Sequence, residues 1–447
     1  MGSKSVPLQV EVLSTKFITP SSPTPKHLQN YKLSFFDQIA GDVHLPLVLF
    51  YPPNNNKNST TLNHEQLEES LSRVLTHVYP IAGRFTDDFC SINCLDQGVK
   101  LVKANVNSKL DDFLEQAHKD VNAAVLCWPH NTWDVNEDNL AITPLVIIQV
   151  TKFECGGIAL SMSHAHIAMD GYSSLSFLYE WSEVCRLGIK AQDIDFFSFN
   201  LGEVFPTRDL SKLLLPRIPG ETRAESKLVA KRLYIDEANI SKLREEMGAL
   251  SFKPTRVEMI TAILWRGLMS SSQVKNGKLK RSLMGVPINL RSKISLPQIT
   301  KCFGNLVVEA PVIFVPDQEN KNMELRNLVT LIRETVQKTI ELLNKESPDE
   351  IVTAVGELYN ESFLDQEWGG SDEVDNFTTS SLCRFPILGA DFGWGKPCLM
   401  HFGSRHMQTC WLYDAECGNG VCVQVDLKES YMSIFESDQD IKTYFKF

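Results

Sequence analysis

No stretch of about 18 consecutive apolar residues occurs in this 447-residue chain, so no segment reads as a membrane-spanning helix. Basic charge is also scarce. Against 55 Asp and Glu stand 44 Lys and Arg, a formal net charge of −11, which disfavours nucleic acid and anionic membranes as partners. A local basic patch for phosphate is still compatible with that balance. There is no Walker loop and no Rossmann glycine fingerprint, so a nucleotide-like ligand has to be held by diffuse contacts. The eleven cysteines are odd in number and follow no zinc or redox spacing, which fits free thiols in a reducing compartment. His-Glu-x-x-His and the Gly-x-Ser-x-Gly elbow are both missing. The stretch Met1-Gly2-Ser3-Lys4-Ser5-Val6 lacks a signal-peptide pattern, and Tyr444-Phe445-Lys446-Phe447 carries no lipidation or retention signal. A cytoplasmic location is expected.

What is present describes an ordinary globular protein, 43% hydrophobic and 22% charged, long enough for two cores. Helical and strand patterns alternate, which argues for a mixed α/β fold. Asn63 and Gln66 form a capping-box pattern before a stripe of Leu67, Leu71, Val74, Leu75 and Val78, a helix that ends before Pro80. Strands are expected over Leu145 to Phe153 and Ile158 to Ser163, joined by a hairpin, and later over Val421 to Leu427. Helices are expected over Arg256 to Leu268 and Met323 to Leu343. Residues 191–225, with Pro206, Pro216 and Pro219 and little periodicity, read as a crossover linker between domains at 1–190 and 226–447.

The stretch His166-Ile167-Ala168-Met169-Asp170-Gly171 stands where an alternating apolar run, reading as a strand with one face in a core, meets the helical stripe Leu175, Phe177, Leu178, Trp181, Val184 and Cys185. Such a strand-to-helix corner presents side chains outward. Taken alone, the motif admits three readings: a catalytic imidazole, a metal site with His164 and Asp170, or a satisfied core histidine. No other histidine or cysteine spacing completes a metal site, and none is expected. Gly171 reads as a turn glycine.

About half a chain later comes Asp391-Phe392-Gly393-Trp394-Gly395. With both motifs in place, the sequence resembles the plant acyl-CoA-dependent acyltransferases of the BAHD family, whose hallmarks are His-x-x-x-Asp near mid-chain and Asp-Phe-Gly-Trp-Gly near the end. The stretches Pro20-Ser21-Ser22-Pro23-Thr24-Pro25, Tyr79-Pro80-Ile81-Ala82-Gly83-Arg84, Asn289-Leu290-Arg291 and Phe303-Gly304-Asn305 carry the resemblance along nearly the whole chain. It implies two chloramphenicol-acetyltransferase-like domains, each a mixed sheet flanked by helices, with an active-site channel at their interface. It also implies a return of roughly residues 392–410 to the first domain. Pro25, Leu28, Tyr31, Phe36 and the Val74-Leu75-Thr76-His77 run look most like the branch containing vinorine synthase, salutaridinol acetyltransferase and deacetylvindoline acetyltransferase. That branch favours acetyl-CoA and alkaloid alcohols.

Acyl transfer from a thioester to an alcohol requires one well-placed base, because the carbonyl is already electrophilic and the neutral hydroxyl is a poor nucleophile. His166 is the residue expected to take that proton, with no acyl-enzyme. The resemblance implies that Asp170 points away from substrate and pairs with Arg291 to hold the corner, and that Asp391, Gly393, Trp394 and Gly395 are structural. Where family members place Thr-Ser-Trp, this chain has Ser380-Ser381-Leu382. Ser380 is thus a candidate oxyanion donor, or an ordinary loop serine, and Leu382 reshapes the pocket. Lys253, Thr255 and Arg256 are candidate CoA contacts, or simply a helix start with exposed charges. The expected protein is a monomer that takes acyl-CoA as co-substrate, holds no permanent cofactor, and acylates a small-molecule alcohol such as an alkaloid. Amine, terpenoid or small-alcohol acceptors are variants of the same chemistry. Two other classes stay open: a hydrolase using Ser163 or Cys155, and a catalytically silent binding homologue.

Overall fold

The computed structural model describes residues 8–41, 43–53, 62–119, 121–129, 142–188, 197–210, 228–316, 323–363, 374–403, 408–415 and 418–447. The chain divides into two compact units. One comprises Met1–Thr207, Lys301–Asn305 and Phe385–Ser404; the other comprises Arg208–Thr300, Leu306–Arg384 and Arg405–Phe447.

The first unit is built on a mixed sheet of six described strands in the order Val10–Ile18, Val99–Val106, Val146–Phe153, Ile158–Ala165, His44–Tyr51 and Leu399–Phe402. Neighbours are antiparallel except Val99–Val106 with Val146–Phe153. The strand Ile158–Ala165 was expected to have one buried face, yet all eight of its residues are buried. Its small alternate residues are what make this possible. Ser161 donates to the Gln149 carbonyl (3.3 Å), and Ala159 packs with Val48, Phe50, Phe113 and Trp128 on a second covered face. The helix His64–His77 starts as expected at Asn63, whose side chain accepts from the amides of Glu65 and Gln66. The reciprocal half of a capping box does not form, because the Gln66 amide reaches instead to the Cys185 carbonyl at 2.7 Å.

Part of the expected linker is built into this first unit. The amide of Ser198 donates to the Lys301 carbonyl (3.0 Å) and that of Phe303 to the Ser198 carbonyl (2.9 Å), while Tyr31, Phe197, Phe199 and Phe303 meet edge-to-face or tilted. Such aromatic pairs each add about 0.5–1.5 kcal/mol beyond their buried area. Residues 191–196 and 211–225 of the expected linker lie outside the described residues. The late return to the first unit, expected over roughly 392–410, spans Phe385–Ser404. Leu399–Phe402 pairs with His44–Tyr51, whereas Thr409–Asp414 already pairs within the second unit's sheet.

That second sheet runs Val307–Phe314, Arg281–Asn289, Val374–Ser381, Thr409–Asp414, Gly420–Lys428 and Leu228–Asp236. One of its faces, with Phe377, Cys410, Leu412, Val423 and Val425, is packed with residues of the helices Arg256–Asn276, Leu325–Leu343 and Glu429–Ser437. Fully burying each Leu, Ile or Val there contributes about 1.5–3 kcal/mol. The helix Arg256–Asn276 outruns its expected end at Leu268. Ser271 and Ser272 are buried, Ser271 bonding back to the Gly267 carbonyl (2.7 Å), and the stop comes at Gly277, in the left-handed conformation with φ +75°. Glycine adopts that conformation at little cost.

Candidate active site

The strand Ile158–Ala165 ends in a tight turn, His166–Ala168, anchored by the His166 amide on the Val43 carbonyl at 2.8 Å. Met169 and Asp170 are extended, and the helix Gly171–Leu187 follows. Asp170 is its N-cap: the carboxylate accepts from the Ser173 amide at 2.9 Å and satisfies one of the first-turn donors that a helix leaves unpaired. Gly171 does not turn the chain through a left-handed conformation, as its glycine had suggested. It is the first helical residue, and the corner is made by extended backbone at Met169 and Asp170.

His166 is partly exposed, in contrast to its neighbours His44 and His164. Burial holds the His44 imidazole down to about 4 and the His164 imidazole well below the ordinary range, so both are neutral core groups. The His166 ring places Nδ1 3.1 Å from Oδ1 of Asn305. The Asn305 amide nitrogen in turn lies 2.7 Å from the His166 carbonyl, 3.2 Å from the Ile167 carbonyl and 2.9 Å from Asp37 Oδ1. The segment Lys301–Asn305 is stitched to the same corner through Ser173, whose hydroxyl donates to the Gly304 carbonyl (3.0 Å) and accepts from the Gly304 amide (3.2 Å). Gly304 has φ +112°, and a Cβ there would lie 3.1 Å from Leu201 and 3.2 Å from Asp37 Oδ1. Only glycine suits that position.

The two serine and cysteine nucleophiles of a hydrolase reading are in the wrong places. Ser163 is buried, with its hydroxyl 3.5 Å from Nδ1 of His44. Cys155 stands beyond the opposite end of the strand, roughly 25 Å from His166 at about 3.3 Å per residue.

Asp391 turns its carboxylate onto its own loop, accepting from the amides of Gly393 (2.7 Å) and Gly395 (2.9 Å), both of which have positive φ near +96° and +99°. Phe392 stacks on Trp394 at 5.2 Å, and the pair sits edge-on to Tyr51 and, through Phe392, Trp181. The motif is a knot of packing between the first unit's sheet and the helix that follows His166.

The remaining candidates lie in the second unit. Arg291 is buried and its guanidinium donates to Asn289 Oδ1 at 3.3 Å. Ser380 is not in a loop: it stands in the strand Val374–Ser381 opposite Trp411, on the face away from the helix-packed core of Phe377, Cys410 and Leu412. Leu382 is buried, its amide donating to the Leu412 carbonyl at 2.7 Å. Thr255 is the N-cap of Arg256–Asn276 in a full capping box with Glu258, and Arg256 forms an ion pair with Asp414. These two have structural employment that the sequence pattern Thr-x-x-Glu foreshadows. Lys253 is exposed. Of the residues that carried the resemblance to the alkaloid branch, Tyr31, Phe36, Val74 and Leu75 are core residues of the first unit, Leu28, Thr76 and His77 are partly exposed, and Pro25 is exposed.

A partly exposed histidine at the end of a mixed-sheet strand, with Nδ1 held by Asn305 and with Ser163 and Cys155 both out of reach of its ring, is the candidate reactive group of this unit. The sequence model described as the Transferase family matches residues 8–442, and the chain belongs to that family, the plant BAHD acyl-CoA-dependent acyltransferases. Among its relatives are the limonoid 1-O-acetyltransferase of Citrus sinensis, 32% identical over 98% of each chain, and the epi-neemfruitin B synthase L1AT of Melia azedarach, 31% identical over 98% of each. The crystal structure of vinorine synthase superposes with a TM-score of 0.75 at 27% identity, covering 98% of both chains, and supports the two-domain fold.

Proposed function

We propose that the protein transfers an acetyl group from acetyl-CoA to a hydroxyl of a polycyclic plant metabolite, with His166 as general base. The carrying observation is the 3.1 Å contact between His166 Nδ1 and Asn305 Oδ1. An amide oxygen only accepts, so Nδ1 carries the ring proton and Nε2 holds the free lone pair. The acceptor hydroxyl gives its proton to Nε2 as its oxygen bonds to the thioester carbon, a transfer typically worth about 10² to 10⁴ in rate. Collapse of the tetrahedral oxyanion breaks the carbon–sulfur bond, and the CoA thiolate takes the proton back from Nε2. Ser380 is the candidate donor to the oxyanion, a role typically worth about 3 to 4 kcal/mol. Lys253 is the remaining candidate for the CoA phosphates, since Thr255 and Arg256 have other partners.

The acceptor class follows from two considerations. The alkaloid expectation rested on Pro25, Leu28, Tyr31, Phe36 and the Val74-Leu75-Thr76-His77 run, of which Tyr31, Phe36, Val74 and Leu75 are core packing and carry little information about an acceptor. The relative named for limonoid 1-O-acetylation favours an oxygenated terpenoid skeleton, with an alkaloid alcohol as the second reading. We take the enzyme to work as a cytoplasmic monomer. The test is incubation with acetyl-labelled acetyl-CoA and parallel panels of limonoid and alkaloid alcohols. Label should pass to a limonoid hydroxyl; label passing only to alkaloids reverses the order of the two readings, and CoA release without a labelled ester rejects the function.

A further inference from the structure

Asp37 lies 268 residues from Asn305 in sequence, and its fully buried carboxylate touches that residue twice. Oδ1 accepts from the Asn305 backbone amide at 2.7 Å and from its side-chain nitrogen at 2.9 Å. Oδ2 accepts from the amide and the hydroxyl of Ser34, each at 2.7 Å, in the capping box that opens the helix Phe35–Ile39. Burial pushes the Asp37 carboxyl up to about 6, while the four donors that converge on it favour the ionised, acceptor-only form, which is the form present at neutral pH.

The consequence reaches His166 through the Asn305 amide. Its nitrogen faces three acceptors: Asp37 Oδ1 and the carbonyls of His166 and Ile167. A half-turn of the amide would set its oxygen against all three and its nitrogen against the imidazole. The carboxylate makes that turn the most costly, because its charge strengthens the bond that would be lost. With the nitrogen fixed, Oδ1 alone faces the ring, and His166 Nδ1 has to donate. Building on the reading of His166 as base, we propose that Asp37 is a positioning residue: it locks the Asn305 amide, and thereby holds His166 in the Nδ1–H tautomer that leaves Nε2 free to take the acceptor's proton. The Ser34-x-x-Asp37 capping box thus both starts a helix and sets a tautomer on a distant strand end.

The test is Asp37→Asn in protein labelled with ¹⁵N-histidine, where long-range ¹H–¹⁵N spectra distinguish the two tautomers. An asparagine at 37 can donate toward Asn305 and relax the constraint on its amide. The expected result is a folded protein in which His166 moves to the Nε2–H form, with kcat down about a hundredfold and the KM for acetyl-CoA changed less than about twofold. A folded variant that keeps the Nδ1–H signal and the wild-type kcat overturns the proposal. Should Asp37→Asn fail to fold, Ser34→Ala removes one of the four donors; a partial shift of the same signal with kcat down about threefold supports the brace, and no change in either overturns it. A shift in tautomer with turnover unaffected upholds the brace and rejects His166 as the base, so the two readings fail separately.

Discussion

Asp170 closes the first of the two motifs that identify the family and Asp391 opens the second, and both commit a carboxylate oxygen to backbone amides within a few residues: Asp170 to Ser173, Asp391 to Gly393 and Gly395. What they hold in place is different. Asp170 fastens the start of a 17-residue helix to the turn that carries a partly exposed imidazole, while Asp391 fastens a loop whose rings are buried against Tyr51 and Trp181. On the proposed function the first arrangement aims the base, and the second completes a core. A conspicuous motif therefore states that its backbone is unusual, and the chemistry has to be read from what projects beside it.

The contrast can be broken in solution, and pH has the largest effect expected. His44 lies opposite Ala165 at the end of the strand that delivers His166, and burial holds its folded value at about 4 against 6.5 for the free side chain. Between those values the unfolded chain binds the extra proton, so His44 contributes about 3 kcal/mol of stability that is present above pH 6.5 and lost as pH falls toward 4. Asp37 and Glu309, buried carboxyls raised to about 6 and about 7, act in the opposite sense in that window, so the readout is the difference: denaturant melts should show His44→Phe losing about 3 kcal/mol less than the wild type as pH falls, and parallel curves would contradict the assignment. Next in size, Asp391→Ala removes the acceptor of two amides and should lower stability by about 2 kcal/mol while the folded fraction keeps wild-type kcat. In Asp170→Ala the lost N-cap alone is worth about 1 kcal/mol, and unlike Asp391→Ala this variant should also lower kcat because the corner under His166 loosens. If the two aspartate variants exchanged these effects on kcat, the division between aiming and packing would be wrong.

Much of this was legible in the chain. The strand before His166, the helix after it and the mixed α/β class follow from residue periodicity, and the family follows from the two motifs. Asn63 marks where its helix begins, as an N-cap without the reciprocal bond from Gln66. Other features were hidden for physical reasons. Burial of both faces of Ile158–Ala165 depends on the serine hydroxyls finding partners on adjacent strands, which no alternation pattern encodes. Thr255 and Arg256 look like free polar groups until Glu258 and Asp414 are seen beside them. Asn305 was visible as part of a familiar tripeptide, but its contact with His166 spans 139 residues, and Asp37 joins from another 129 residues before His166. Contacts at that separation are set by the tertiary fold, and the one local clue was Ser34-x-x-Asp37, which reads as an ordinary helix start.

The account turns on His166 carrying the proton while Asp170 and Asp391 carry structure. Its most direct test is the turnover of folded His166→Ala, measured as labelled acetyl ester formed from acetyl-CoA and the acceptor that the wild type uses. The account predicts a loss of about 10² to 10⁴ in kcat with an unchanged melting curve. Wild-type turnover in that folded variant would contradict it.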